Sequence, residues 1–388
     1  MNQHFDTLLI HAGEKPDPQT GAIAPVLHRT KTYAQSFGKD QTYQYSRGKN
    51  PTRAHLEEKL AELEGAKYAI AFSSGNAATT AFLMTLNPGD HILFCQEIYG
   101  GTYRIVEQVM NRFGVTADYV DFYSKESIKS GIKPNTKYLF VETPTNPSQH
   151  VIDLELVAEV SRETGVPFVV DSTFSPPCTT QPIKYGAKVV IQSLSKYIAG
   201  HNDVLAGALI TNDAKLNEDF FFLFKTTGGI LSPDECYRVL QGVKTLSLRW
   251  QRVSETAYMV ARNLPLAKQI KKVNYPFLMN NPNREVAIRQ MKTGAGGVLS
   301  FELQDEFHTP EKIKQFVNDV TANGVIVYAE SLASPETILA YPPLMSHKSL
   351  PDNVRKSLGI SDGFFRLSVG FENADDILNT LLKSVSRL

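Results

Sequence analysis

The sequence predicts an α/β protein: a mostly parallel sheet covered by helices, followed by a smaller α/β domain. Three observations carry this. Short apolar runs alternate with helical stretches from about residue 53 to residue 211. Most of the runs are apolar along their whole length, as strands buried on both faces are. The length, 388 residues, exceeds the usual single core and favours two domains. We place a large domain at 53–250 and a small one at 251–388, after an N-terminal arm at 1–52.

Residues 1–52 are rich in turn formers ("EKPDPQTGAIAP", "YSRGKNPTR") and show little periodicity. They read as an arm lying on something else, such as another subunit. "RAHLEEKLAELEGAK" sets Leu56, Leu60 and Leu63 at helical spacing, with Gly65 as the C-terminal cap. A buried strand at 67–72 runs into "SSGNAATTAFLMTL", where Ser73 to Asn76 open a helix. Strands follow at 91–95, 137–142, 167–171 and 187–192, with a further candidate at 205–211. Helices are expected over "GTYRIVEQVMNRFG" and "DLELVAEVSRETG". Residues 237–264 read as one long helix leading into the small domain.

Charge and cysteines narrow the function. Lys plus Arg (40) balances Asp plus Glu (40), so no global field draws nucleic acid or an anionic membrane. Three scattered cysteines without a CxxC argue against a disulfide framework or thiolate zinc site, and fit a reducing cytoplasm. The nine histidines include no HxxxH or HExxH pair, so no metal site is expected. No signal peptide and no run of about 20 apolar residues is evident. The expected partner is a small molecule.

In an open parallel sheet the ligand site lies at the C-terminal ends of the strands. The polar residues there are Ser74-Gly75-Asn76, Glu142 to Asn146, Asp171 and Ser193 to Lys196. "SSGN" at a helix start offers free amides for a phosphate, or is simply a tight turn. Asp171 is either a turn or capping residue, or a buried counter-ion for a protonated heteroaromatic nitrogen. Lys196 is either a surface lysine or an amine nucleophile at a strand end, where desolvation lowers its pKa. Taken together, a phosphate site, an acid for a ring nitrogen and a nucleophilic lysine between Ser193 and Ser195 describe pyridoxal phosphate (PLP). A nicotinamide dehydrogenase lacks its GxGxxG fingerprint here.

The segments "QSLSKYIAGHND", "YSRGKNPTRAHLEEKLAELEG", "YGGTYR", "ETPTNP", "VVDSTF" and "FFRLSVGFEN" resemble the PLP enzymes of cysteine and methionine metabolism. That family holds the cystathionine γ-synthases, γ-lyases and β-lyases, and the resemblance runs from about residue 7 to the C-terminus. It implies the fold-type I, aspartate aminotransferase-like architecture. By the same resemblance Lys196 is the covalent anchor of the cofactor and the proton shuttle. Asp171 pairs with the ring nitrogen, and Tyr99 stacks on the ring and serves as acid or base. Gly75, Asn76, Ser193 and Ser195 hold the phosphate, with Tyr45 and Arg47 reaching it from a neighbouring subunit. Arg366 binds the substrate α-carboxylate, helped by Ser331 and Asn146. A homotetramer built from two active dimers follows from the same likeness.

Some positions depart from the family pattern. Asn76 stands where methionine or valine is frequent, Ser172 for asparagine and Ser195 for threonine. Ala333-Ser334-Pro335 lacks the usual glycines, which bears on substrate choice. Gly101 stands where methionine γ-lyases have cysteine, and Glu330 matches a glutamate of many γ-lyases and γ-synthases that binds the distal amino group of cystathionine. The expected reaction is γ-elimination from L-cystathionine to cysteine, 2-oxobutanoate and ammonia, with hydrogen sulfide released from cysteine or homocysteine as a side activity. The γ-synthase and β-lyase reactions are the alternatives. A non-catalytic PLP-binding regulator is the reading from a different class, and the intact set of Lys196, Asp171, Tyr99 and Arg366 argues against it.

Overall fold

The fold is that of a computed structural model, which describes residues 3–345, 348, 355 and 358–388. The chain opens with α1 (Phe5–His11), a helix absent from the expected arm. Its Leu9 is buried, and the Leu9 carbonyl accepts from Lys59 Nζ at 2.8 Å. Glu14 pairs with the same ammonium at 3.0 Å, so the first turns of the arm dock on their own chain. From residue 12 to 49 the chain forms no helix and no strand, apart from one bridge between Thr32 and Tyr45.

Helix α2 (Pro51–Glu64) begins where Asn50 Oδ1 accepts from the amides of Thr52 and Arg53, with Pro51 in the first turn, where its missing N–H costs nothing. It buries Leu56, Leu60 and Leu63, and it stops at Gly65, whose φ of +75° is the left-handed cap expected from the sequence. Then come β1 (Tyr68–Phe72), α3 (Gly75–Leu83), β2 (His91–Cys95) and α4 (Gly100–Arg104). The predicted helix beyond α4 loses α geometry: it passes into a π turn at Ile105–Val109 and a 3-10 turn at Met110–Phe113. β3 (Thr116–Val120) and α5 (Lys125–Gly131) follow; then β4 (Thr136–Glu142), α6 (Leu154–Thr164), β5 (Phe168–Asp171), β6 (Val189–Gln192) and β7 (Gly207–Thr211).

These strands form one sheet in the order β1-β7-β6-β5-β4-β2-β3. β3, β2, β4, β5 and β6 run parallel, while β7 runs opposite to both its neighbours. The mostly parallel sheet read from the sequence is therefore present, with one reversed strand. Every residue of β2, β5, β6 and β7 is buried, as strands covered on both faces require.

The long helix expected at 237–264 is two helices. After α7 (Ala214–Thr227), α8 spans Pro233–Val243 and α9 spans Leu246–Asn263. Ser232 caps the start of α8, accepting from the Glu235 amide. The break has a packing cause. A Cβ on Gly242 would lie 2.1 Å from the Ala199 carbonyl oxygen, so α8 meets the turn after Lys196 backbone to backbone. The Gly242 carbonyl is taken out of the helical ladder by Arg249 Nη2 (2.7 Å) and Thr245 Oγ1 (3.1 Å).

The remaining chain builds a second sheet. β8 (Ile270–Asn274), α10 (Arg284–Gln290), β9 (Val298–Leu303), α11 (Pro310–Thr321), β10 (Ile326–Tyr328), β11 (Thr337–Ala340), β12 (Phe364–Ser368) and α12 (Ala374–Val385) complete the fold. The strand order is β10-β11-β12-β9-β8, with only β10 and β11 parallel. Among the described residues no helix is long and apolar enough to cross a membrane.

Candidate active site

The C-terminal ends of β4, β5 and β6, with residues of β11 and β12 and the loop at 330–332 from the second sheet, enclose a cavity of about 410 Å³, within the range of small-molecule sites. Thirteen residues singled out from the sequence line it: the strand-end residues Ser74 and Glu142, and Gly75, Asn76, Tyr99, Asn146, Asp171, Ser193, Ser195, Lys196, Glu330, Ser331 and Arg366. Tyr45 and Arg47 do not. Both are exposed; Arg47 Nη1 donates to the Lys225 carbonyl (2.9 Å), and its guanidinium lies 5.6 Å from the Tyr45 ring centre.

Lys196 sits in the turn after β6. Its Nζ donates to Ser331 Oγ at 3.0 Å, which joins the two sheets. Burial, and next the positive charge of Arg366, lower its pKa to about 8, opposed by Glu330. A neutral amine is therefore accessible near physiological pH. The turn itself is held by Arg249, a buried cation that donates to the carbonyls of Tyr197 (2.6 Å) and Ile198 (3.1 Å). Gly200, at φ +70°, makes room for that guanidinium; a Cβ there would come within 1.8 Å of Nη1.

Asp171 ends β5. Thr173 donates to Asp171 Oδ1 twice, from its amide (3.1 Å) and its hydroxyl (2.6 Å), and Thr173 Oγ1 accepts from the Ser193 amide (2.9 Å). Asp171 Oδ2 takes no hydrogen bond among the described residues. Burial raises the Asp171 pKa while the Thr173 donors oppose it. Thr173 thus ties the acid to the turn that carries Lys196. Sequence reasoning did not single it out, although it lies two residues past Asp171 in "VVDSTF".

Ser74 caps α3 by accepting from the Ala77 amide at 3.1 Å. The first-turn amides at Gly75 and Asn76 have no intrahelical acceptor. Glycine is required at 75 because a Cβ would meet the Ser193 Cβ at 2.9 Å, and at 207 because one would meet the Ser74 carbonyl oxygen at 2.3 Å. Ser195 lines the cavity, but its hydroxyl is engaged with Ala206, accepting from the amide (2.8 Å) and donating to the carbonyl (3.1 Å). Ser172 Oγ donates to the Ser175 carbonyl (2.7 Å) and is not among the lining residues.

On the other wall Arg366, in the middle of β12, is buried. Nη1 donates to Asn146 Oδ1 and Nη2 to the Ser331 carbonyl, both at 2.8 Å, while Nε is buried with no partner among the described residues. Burial lowers its pKa to about 10, and it stays a cation. Ser331 and Ala333 hold φ of +89° and +61°, in the region that favours glycine. Of the three positions that lack the usual glycines, Ala333 therefore sits where the backbone favours one.

Tyr99 precedes α4 and is 38% exposed; burial is the main cause raising its pKa. A Cβ on Gly101 would lie 2.3 Å from Tyr99 Cε1, so any side chain at 101 would displace this ring. Arg104, on α4, and Glu330 both line the cavity and are exposed. Arg104 carries no sequence signal beyond its place in "YGGTYR". Glu142, at the end of β4, is buried beside Asp171, its register partner.

The cavity suits PLP on features of its own. It presents a helix start at Gly75 that admits no Cβ and is approached from β7 by Gly207, which admits none either, together with a buried acid with one open oxygen and a desolvated lysine.

The comparisons agree. A family model described as "Cys/Met metabolism PLP-dependent enzyme" matches residues 6–386. The cystathionine gamma-lyase of Bacillus subtilis is 38% identical, over 98% of this chain and 99% of that protein. The cystathionine beta-lyase MetC of the same organism is 39% identical, over 97% and 96%. A solved cystathionine gamma-synthase from Xanthomonas oryzae pv. oryzae superposes with a TM-score of 0.94 at 32% identity, over 100% and 99%. The chain belongs to the family of PLP-dependent enzymes of cysteine and methionine metabolism, has their fold-type I architecture, and uses pyridoxal phosphate as its cofactor.

Proposed function

We propose that the protein cleaves L-cystathionine by γ-elimination, giving cysteine, 2-oxobutanoate and ammonia with the uptake of one water. One observation carries the substrate: Glu330 and Arg104 both line the open side of the cavity. A carboxylate and a guanidinium there suit the far end of cystathionine, which carries an ammonium and a carboxylate. Preference for the γ-carbon rests on Glu330, which matches a glutamate of many γ-lyases and γ-synthases, and on the likeness of "TTGGILSPDECYRVLQGVKTLSLR" to bacterial γ-lyases, while Gly101 counts against a methionine γ-lyase. Cysteine and homocysteine are expected as poorer substrates that release hydrogen sulfide.

When bound, PLP supplies an aldehyde for amine capture and a cationic ring that draws electrons from the bonds to the substrate α-carbon. Lys196 Nζ would hold it, and as a free amine would take the proton from Cα and then from Cβ. Asp171 keeps the ring nitrogen charged. Arg366, backed by Asn146 and Ser331, grips the α-carboxylate, and a two-pronged guanidinium fixes its orientation as a lysine could not. Tyr99 covers the ring and hands a proton to the departing sulfur. Gly75, Asn76 and Ser193 bind the phosphate; Ser195 supports them through Ala206. Tyr45 and Arg47 complete the phosphate site of a second copy, in a cytoplasmic homotetramer. The arm, large half and small half divide near residues 52 and 250.

γ-Synthesis from an acylated homoserine and cysteine is the second reading, favoured by the solved synthase of the same fold. Product analysis separates them. L-cystathionine yields 2-oxobutanoate by γ-elimination, and pyruvate with homocysteine by β-elimination. Turnover of only the acylhomoserine and cysteine pair overturns the proposal.

A further inference from the structure

Glu142 is a buried carboxylate that the reaction above does not use. Its two oxygens are both spoken for: Oε2 accepts from the Tyr99 amide at 2.6 Å and Oε1 from the Asn146 amide at 3.1 Å. Tyr99 ends the loop between β2 and α4 and lines the cavity, and Asn146 holds Arg366 at 2.8 Å on the opposite wall. One side chain therefore spans the two loops that bring these groups together.

An acid is an expensive choice here. Glu142 lies opposite Asp171 on the neighbouring strand, and two buried carboxylates side by side are unfavourable. Burial, then Asp171, push the Glu142 carboxyl well up. A glutamine would avoid the conflict, but it offers one acceptor oxygen, and its NH₂ would face an N–H. The two amides meet different oxygens, and a carboxyl group accepts both where a glutamine would turn its NH₂ toward one of them.

We propose that Glu142 is a positioning residue that fixes the Tyr99 loop against the Asn146–Arg366 carboxylate grip, so that ring cover and substrate grip keep one geometry. The inference rests on the roles given above to Tyr99 and Arg366. It does not require that the γ-carbon be the one attacked. Removing the brace leaves the fold a second tie between the same loops: Glu97 accepts from Thr145 Oγ1 at 2.7 Å and contacts His150 Nδ1 at 3.1 Å.

The test is Glu142→Gln in the holoenzyme, read by binding of L-alanine, an amino acid with no leaving group, through the change in the cofactor's visible absorption. Alanine affinity is expected to fall about tenfold, and kcat/KM for the parent's own substrate on the order of 100-fold, the scale of a misplacement of about 1 Å. In an Asn146→Ala background the same substitution should weaken alanine binding less than about twofold further, since contacting residues couple. Unchanged alanine binding, or losses that simply multiply in the double variant, would overturn the proposal. If the glutamine variant does not retain cofactor, Glu142→Asp, which withdraws both oxygens by one methylene, is read the same way. A parent enzyme that makes the wrong product sinks the γ-lyase reading and leaves this one standing.

Discussion

The two walls of the cavity are built differently. The wall from the large sheet is made of strand ends: Glu142, Asp171 and the Lys196 turn sit directly after β4, β5 and β6, and short hydrogen bonds through Thr173 link the last two. The wall from the second sheet combines a rigid arginine in β12 with a loop at Ser331–Ala333 held at positive φ. On the roles proposed above, the first wall would supply the chemistry and the second would select the amino acid presented to it.

Substitutions should separate the walls. Lys196→Ala on the first wall is expected to abolish the cofactor's visible absorption band and lower kcat on the order of 10⁴-fold, whatever the substrate. The depressed lysine gives a pH test on the same wall. A base with its pKa lowered to about 8 is neutral above that value, so cofactor capture by the apo chain should slow about tenfold per pH unit below 8 and level off above it. A capture rate still climbing at pH 9.5 would place Lys196 in water. On the second wall Arg366→Lys should raise KM roughly 10- to 100-fold for every amino acid, since a charged hydrogen bond is worth about 1.5–3 kcal/mol, and leave the absorption band in place. Glu330→Ala is the smallest. Exposed charges contribute about 1 kcal/mol or less, so KM for cystathionine should rise about fivefold at most and that for cysteine not at all. Equal effects on both substrates would remove Glu330 from the far-end contact.

The first wall was legible because buried parallel strands leave continuous apolar runs, and the polar residue that ends each run declares itself. Asp171 and Lys196 were found that way. Glu142 ended its run too, but its role depends on amides 43 and 4 residues away along the chain, which spacing does not reveal. β3 escaped notice because it is a partly exposed edge strand with mixed polarity. The arm hid α1, a helix of seven residues, too short for periodicity to register. The break between α8 and α9 was invisible because its cause is a backbone contact with Ala199, over forty residues earlier. Arg104 lay within a quoted motif, yet only the fold turns it toward the cavity.

That break also sets a phase. Arg249 reaches the carbonyls behind Lys196 only because it lies four residues past Thr245, on the face of α9 that meets the lysine turn. Each residue of a helix turns about 100°. A single residue inserted between Thr245 and Arg249 would swing the guanidinium out of contact and put the error at Lys196, without touching any residue that lines the cavity. The chain therefore carries a stretch of fixed length, about fifty residues along the chain from Lys196, where deletions and insertions should be tolerated less well than most substitutions.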